Sequence, residues 1–274
     1  MKLIVNADDY GMDSNVSRAI VDCFRRGWLT QTTLMVNMPG SEEAVELSHE
    51  NHFFNKVGLH INLSEGWPLT DEIRRCRYFC DETGMFNNKI RTLLQARFIL
   101  PAMEKKAVAK EISAQMEKFQ SWGFPMRHYD SHGHVGAYLS ILPTALACGK
   151  KYGFKTTRHW INLSGSHRDI PMTLSKRVYA NIVGGTVARA GFRHSDYLGW
   201  AWDIRRLPKE LDDDVVVEIL CHPMYAINDP SMEENECVEK VDQGGVLIDT
   251  FHLASNTIGE LTDLAAKRIT YSEL

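Results

Sequence analysis

The sequence is poor in the features that mark membrane, secreted and nucleic-acid-binding proteins. No apolar run approaches the roughly 18 residues that a transmembrane helix needs. The first residues show neither the basic region nor the small-residue cleavage site of a secretory signal. The formal net charge is -4, so the chain has no surplus of positive charge for a phosphate backbone. We therefore expect a cytoplasmic protein with neither nucleic acid nor membrane as a partner.

Cysteine and glycine-rich motifs are also scarce. Six cysteines among 274 residues are too few for a disulfide framework. Cys76 and Cys80 lie close together, but no second pair follows at the spacing of a zinc site. The first apolar run is not followed by G-x-G-x-x-G, which removes the usual reason to predict a dinucleotide-binding fold.

Short β-rich runs alternate with stretches of helical periodicity along the chain. The predicted strands are 3–6, 32–37, 57–63, 127–132, 154–158, 194–200, 215–221 and 245–251. The predicted helices are 14–27, 41–51, 104–121, 141–152 and 173–190. This alternation indicates an α/β fold with a parallel sheet, either an open doubly wound sheet or a barrel. We predict one domain, 1–274, with a distorted TIM-like (β/α) barrel and a long insertion after the third strand, at 64–101.

Polar residues of catalytic type follow the predicted strands. In parallel α/β folds the carboxyl ends of the strands lie on one face, where active sites are built. We therefore expect one cluster, although each residue alone has a simpler explanation as a core histidine, a turn residue or a surface ion pair. A shared cluster is favoured because buried charges are normally paired or bind metals. Its expected members are Asp8, Asp9, His60, Asp130, His132, His134, Arg158 and His222.

The ligand types in this cluster suit a divalent metal used for hydrolysis. One carboxylate and two neutral imidazoles favour zinc by ligand softness, while nickel, cobalt, manganese and magnesium remain open. His132 and His134 would face the same side only in an extended segment, so we expect one of them to bind metal. The other would contact the substrate or a metal ligand.

Tryptophans near the predicted strand ends fit a sugar ligand. Trp67, Trp200 and Trp202 offer flat indole faces on which pyranose rings pack well. Each of them could equally anchor its loop in the core, because tryptophan is highly buried on average.

Several motifs taken together resemble one family. NADDYG at 6–11, GLHINL at 58–63, the loop SEGWPL, DSHGHV at 130–135 and CHP at 221–223 occur in the order found in YdjC-like carbohydrate deacetylases. The best-known members remove acetyl groups from N-acetylglucosamine units of chitooligosaccharides such as diacetylchitobiose. The resemblance implies a distorted (β/α) barrel, a homodimer and one divalent metal ion, commonly assigned as magnesium. Magnesium and zinc both remain candidates here.

The resemblance also implies roles for individual residues. Asp9, His60 and His132 would bind the metal, and Asp8 would be the general base, although the two aspartates could exchange roles. His222 and Arg158 would line the site around the acyl group, with His222 as the proton donor to the departing amine. We assign substrate binding to His134, Asp130, Trp67 and Trp200.

One position departs from the family pattern. Many relatives read D-S-H-x-H-V-H, whereas this chain has Gly136 in place of the last histidine. We expect this change to alter the preferred sugar or chain length. Two other functions stay open from the sequence: a metal-dependent hydrolase of a phosphoester or cyclic amide, and a carbohydrate-binding protein without catalysis.

Overall fold

The computed structural model describes residues 1–93, 98–163, 173–201, 203, 207, 211–226, 239–240, 246–249, 259 and 261–274. Seven parallel strands form a curled half-barrel, which confirms the predicted α/β class and distorted barrel. In chain order the strands are β1 (Lys2–Tyr10), β2 (Gln31–Leu34), β3 (Val57–Ile61), β4 (His128–Ser131), β5 (Thr156–Thr157), β6 (Tyr197–Trp200) and β7 (Val216–Cys221). Their spatial order is β5-β4-β3-β2-β1-β7-β6, so β1 lies between β2 and β7.

Helices connect these strands. They are α1 (Ser14–Arg25), α2 (Ser41–Glu50), α3 (Asp71–Arg74), α4 (Lys89–Thr92), α5 (Ala102–Ser121), α6 (Leu142–Lys151) and α7 (Leu174–Arg189). α1 begins where the Asp13 side chain accepts a hydrogen bond from Val16 N, and it ends just before Gly27, whose φ is +71°. Its apolar stripe, including Ile20, is buried against the sheet core.

The segment between β3 and β4 contains α3, α4 and the long helix α5. The inner face of α5 is apolar except for Glu111 and Gln115, which are both fully buried. Gln115 bonds the backbone N–H and C=O of Asn62, and Glu111 accepts from the backbone N–H groups of Leu69 and Thr70. α5 therefore holds in place the loop that follows β3.

A second, small sheet departs from the predicted strand arrangement. The sequence predicts that strand 245–251 belongs to the parallel sheet, but β10 (Val246–Asp249) pairs antiparallel with β8 (Pro223–Ala226) and β9 (Glu239–Lys240). Only His222 separates β8 from β7. The chain thus leaves the parallel sheet directly after Cys221. The strand that follows, β8, is then free to pair antiparallel with β10.

The C-terminal segment returns to the N-terminal end of β1. β11 (Lys267–Arg268) pairs parallel with Lys2 and Leu3, and Ile269 is buried beside Ile4. A short 3-10 helix, Tyr271–Glu273, follows, and a capping box formed by Thr270 and Glu273 caps its N-terminus. This segment buries Tyr271, which bonds Gln31 on β2 and Glu218 on β7. Within the described ranges, no helix is both long and apolar enough to cross a bilayer.

Candidate metal and catalytic site

The adjacent carboxylates of Asp8 and Asp9 lie on a bulge near the end of β1. Asp9 has a φ of +67°, and the pairing with β2 changes register between Ala7 and Tyr10. A regular strand would send neighbouring side chains to opposite faces, whereas a bulge re-aims one of them. Both carboxylates consequently line the same cavity. A non-glycine residue in this conformation carries about 1–3 kcal/mol of strain, which the surrounding structure must offset.

One carboxylate and two imidazoles converge beside this bulge. Asp9 Oδ1 lies 3.1 Å from His60 Nε2 and 2.6 Å from His132 Nδ1. Asp9, His60 and His132 each offer one ligand atom, and these atoms lie within 4.8 Å of one another at buried positions. Among the described residues, the Nε2 atoms of the two histidines make no well-aligned hydrogen bond. This donor set, with buried imidazole nitrogens, fits a divalent cation.

The far side of the His60 ring is fixed by a second carboxylate. His60 and Asp130 are register partners on β3 and β4, and His60 Nδ1 lies 2.5 Å from Asp130 Oδ1. An imidazole whose Nδ1–H donates to a carboxylate presents its Nε2 lone pair to a metal. Asp130, predicted to bind substrate, thus lies behind His60 and is not among the residues that line the larger cavity.

A buried guanidinium joins three carboxylates beneath the site. Arg158 Nη1 and Nη2 donate to the two oxygens of Asp8 at 2.6 and 2.7 Å. Arg158 Nη2 lies 2.7 Å from Asp130 Oδ2, and Nε donates to Glu218 Oε1 at 2.9 Å. The planar fork of arginine suits such multidentate pairing. Arg158 therefore orients Asp8 directly, and it also contacts the carboxylate that orients His60.

Burial and neighbouring charges act on the protonation of the acidic groups in opposite directions. Burial alone would raise the pKa of the Asp8 carboxyl, but the Arg158 guanidinium and the imidazoles of His60 and His222 together outweigh it and hold that pKa well below its usual range. Burial likewise opposes ionisation of Asp9, and the imidazoles of His132, His60 and His222 together outweigh it, so the pKa of Asp9 is also lowered. Both members of the doublet are therefore carboxylates at neutral pH.

The two candidate histidine ligands are shifted the other way. Burial lowers the pKa of His60, but the carboxylates of Asp130, Asp8 and Asp9 together outweigh it and raise that pKa to about 10. For His132, burial lowers the pKa, but the carboxylates of Asp9 and Glu65 together outweigh it and raise the pKa to about 9. Both imidazoles would therefore carry a proton near neutral pH without a metal, and a bound cation would take the place of these protons.

The site opens into a cavity of about 400 Å³. Its lining combines the acidic doublet with histidines, an arginine and apolar side chains. These residues are Asp8, Asp9, Met12, Asp13, Val16, Glu65, Arg91, His132, Gly133, His134, Trp200, His222, Pro223 and Met224. The volume lies in the range of small-molecule sites in proteins.

Of the six residues predicted to line the site or bind substrate, three line the cavity and three do not: His134, Trp200 and His222 do, whereas Asp130, Arg158 and Trp67 do not. The ring of Trp200 packs on that of His222 with centroids 5.2 Å apart, and His222 Nε2 is 3.7 Å from Asp8 Oδ2. Trp67, by contrast, is not part of the cavity lining and is 51% exposed, near the Arg74 guanidinium. Trp202 lies outside the described residues.

The segment after β4 separates the two histidines of DSHGHV. Residues His132–Ala137 form a 3-10 turn in which Gly133 and His134 have φ values of 56° and 57°. His132 thereby reaches Asp9, while His134 packs edge-on to Trp160 and lines both the large cavity and a smaller one behind it. The extended geometry that would place both rings on one side is therefore absent at 132–134.

Gly136 lines the smaller cavity, and its N–H donates to Ser131 Oγ at 2.9 Å. A Cβ at this position would also lie 2.9 Å from that oxygen. Any side chain at 136 would therefore require Ser131 to move. The expected effect of this glycine on sugar preference stays a prediction.

The structure adds acidic residues that the sequence reading did not single out. Glu65 Oε1 lies 3.1 Å from His132 Nε2, on the loop held by α5, and Arg91 lies 3.8 Å from the same oxygen. Glu65 stands in the SEGWPL motif, so its place directly after β3 was a usable signal. Glu218 was also visible as the one charge within the apolar run VVVEILC. Its partner Arg158 was not deducible, because sixty residues separate the two.

Comparison with known proteins agrees with the motif pattern. The family model described as YdjC-like protein matches residues 2–258. A carbohydrate deacetylase from Brevibacillus brevis is 33% identical over 228 residues, which cover 82% of each chain. A carbohydrate deacetylase from Geobacillus stearothermophilus is 27% identical over 270 residues, covering 98% of this chain and 96% of its own.

A solved structure shares the fold over nearly the whole length. It is a protein from Enterococcus faecalis provisionally described as a cellobiose-phosphate cleavage protein, with a TM-score of 0.65 and 20% sequence identity. The alignment covers 99% of this chain and 98% of that one. On the family match and the similarity to carbohydrate deacetylases, this chain belongs to the YdjC-like family.

Proposed function

We propose that this protein is a metal-dependent hydrolase that removes the N-acetyl group from mono- or oligosaccharides containing N-acetylglucosamine. The observation that carries the proposal is the buried Asp9, His60 and His132 cluster with a second carboxylate, Asp8, at its side. The relatives named carbohydrate deacetylase and the cavity beside the cluster support a sugar as substrate.

Asp9, His60 and His132 would hold the metal, with Asp130 fixing the His60 ring from behind. When bound, a divalent ion polarises the amide carbonyl and lowers the pKa of a water molecule, which makes water a competent nucleophile near neutral pH. Magnesium and zinc are both candidates for this ion, because a carboxylate with two imidazoles is compatible with either.

Asp8 is suited to accept the proton of the attacking water. Asp8 Oδ1 accepts hydrogen bonds from both Asn6 and Arg158, whereas Oδ2 accepts from Arg158 and lies 3.7 Å from His222 Nε2. Arg158 keeps the carboxylate ionised, which a general base must be before the reaction begins. A positioned base of this kind contributes about 10²- to 10⁴-fold to the rate.

His222 would complete the proton transfer. Its Nε2 lies 3.7 Å from Asp8 Oδ2, and its ring is held in the cavity wall by Trp200. Water adds to the amide carbon, the C–N bond breaks, and the protonated imidazole supplies the proton that the departing amine requires. The products are acetate and the free amino sugar.

The test is acetate release from defined sugars. The chain is stripped with a chelator, reloaded with magnesium or zinc, and incubated with N-acetylglucosamine or diacetylchitobiose. Mass spectrometry should show the loss of one acetyl group, and the activity should disappear again with chelator. Release of phosphate from phosphoesters with no acetate from any acetylated sugar would contradict the proposal.

Two matched variants test the division of roles between the aspartates. Asp8→Asn should lower kcat by at least about 100-fold, consistent with loss of a general base, while metal content stays near that of the wild type. Asp9→Asn should lose bound metal, because it removes the one carboxylate of the cluster. The opposite pattern of metal content would exchange the two roles.

A further inference from the structure

The C-terminal segment reaches the floor of the site through one buried side chain. Tyr271 is 1% exposed, and its ring stacks on His128 with centroids 3.7 Å apart and planes 10° apart. It is anchored by the pairing of β11 with β1 and by the capping box at Thr270 and Glu273. The family match ends at residue 258, so this segment lies beyond it.

Two hydrogen-bonded chains lead from Tyr271 to the Asp8 carboxylate. In the first, the Tyr271 hydroxyl donates to Glu218 Oε2 at 2.5 Å, Glu218 Oε1 accepts from Arg158, and Arg158 donates to both Asp8 oxygens. In the second, Tyr271 N donates to Gln31 Oε1, Gln31 Nε2 to Asn6 Oδ1, and Asn6 Nδ2 to Asp8 Oδ1, at 2.8, 2.9 and 2.7 Å.

These chains leave little freedom to the groups that they connect. Glu218, Gln31 and Asn6 are fully buried, so water cannot replace a lost partner without entering the core. Arg158 has three carboxylates within reach, and the hydroxyl of Tyr271 donates to one of them, Glu218, which does not line the cavity. The orientation of the guanidinium fork therefore depends on where Glu218 is held.

We propose that Tyr271 is a positioning residue for Asp8: through Glu218 and Arg158 it fixes the direction of the carboxylate oxygen that accepts the proton. The inference rests on the proposed role of Asp8 as general base. Tyr271 itself is not among the residues that line the cavity, so it would act only through the residues between them.

The test is Tyr271→Phe in the full chain, which removes the hydroxyl and keeps the ring stacked on His128. We expect kcat for acetate release from diacetylchitobiose to fall about 10- to 100-fold, the scale of a small misplacement of a catalytic group. KM should stay within about twofold and metal content should stay unchanged, because the contacts to sugar and metal are intact.

Tyr10→Phe is the matched control. Tyr10 is also fully buried, and its hydroxyl donates to the backbone oxygen of Ala44, on α2, away from the cavity. It should lose a similar amount of thermal stability while kcat remains that of the wild type. Equal kcat values for the two variants would overturn the inference. The hydroxyl of Tyr271 would then have no effect on catalysis beyond that of any other buried tyrosine hydroxyl.

A double variant tests whether Tyr271 acts through Glu218. Glu218→Gln alone should also lower kcat, and the double variant should be no slower than the slower single one, because both changes break one chain. Multiplicative effects would contradict a shared chain. If the wild type releases no acetate at all, the proposed function fails. Crystal structures of the wild type and of Tyr271→Phe then test this inference separately, and an Asp8 carboxylate that has not moved in the variant would refute it.

Discussion

Replacing Arg158 with methionine should expose how much of the fold depends on one buried cation. The guanidinium contacts Asp8, Asp130 and Glu218, all of which are at most 3% exposed. Methionine keeps most of the side-chain volume but removes the charge and every hydrogen bond. The three carboxylates would then repel one another at short range, and the folded state could relieve this only by taking up a proton.

The size of the effect follows from that proton. A carboxyl group of ordinary pKa near 4 lies about three units below neutral pH, so protonating one costs about 4 kcal/mol at pH 7. This agrees with the roughly 3–5 kcal/mol that is lost when one partner of a buried ion pair is removed. We expect Arg158→Met to lose about 4 kcal/mol of unfolding free energy at pH 7, a large part of the total for a typical domain.

The free energy of unfolding should depend on pH in opposite directions in the two proteins. In the wild type the pKa of Asp8 is lowered below 3.8, so its stabilising effect is complete above that pH and is lost only as the pH falls through and below it. The folded variant instead binds a proton that the unfolded chain releases, so its stability should fall as pH rises. The difference between the two proteins should shrink from about 4 kcal/mol at pH 7 to about 1–2 kcal/mol at pH 5.

Urea denaturation in chelator, followed by tryptophan fluorescence at both pH values, measures this difference. Arg18→Met is the control, because Arg18 pairs with Glu43 at the surface with its side chain 56% exposed. Such a pair contributes at most about 1 kcal/mol. A loss at Arg158 no larger than at Arg18, or one that does not change with pH, would refute the reasoning.

Two further predictions concern the supports around the site. Glu111→Ala on α5 removes the acceptor of the backbone N–H groups at 69–70. The variant should therefore lose about 2–4 kcal/mol of unfolding free energy and show faster hydrogen exchange in that loop. Unchanged exchange would contradict the role given to α5. Gly184→Ala in α7 should lower the melting temperature, because its Cβ would lie 2.5 Å from His159 Nε2. Gly185→Ala, with nothing nearer than 3.9 Å, should raise it through helix propensity, and equal shifts would count against this close approach.

The sequence by itself determined the class of the sheet and the meeting of the polar residues that follow its strands. Alternating strand and helix patterns predict a parallel sheet, and in such a sheet residues far apart in the chain gather at the carboxyl ends of the strands. Asp9, His60 and His132 meet for this reason, and the motifs around them indicated the family before any contact was known.

Only the tertiary structure decided how the members of the cluster are held. Asp9 has a left-handed backbone conformation, which directs the two neighbouring carboxylates into one cavity. This conformation depends on a register change between β1 and β2, which no local sequence pattern reveals. The partners of Arg158 come from three different strands, and Tyr271 returns from the far end of the chain. Trp67 was predicted from its position in the sequence, yet it lies outside the cavity lining. Periodicity fixes which face a residue occupies, whereas hydrogen-bond partners across the core depend on how the strands are packed.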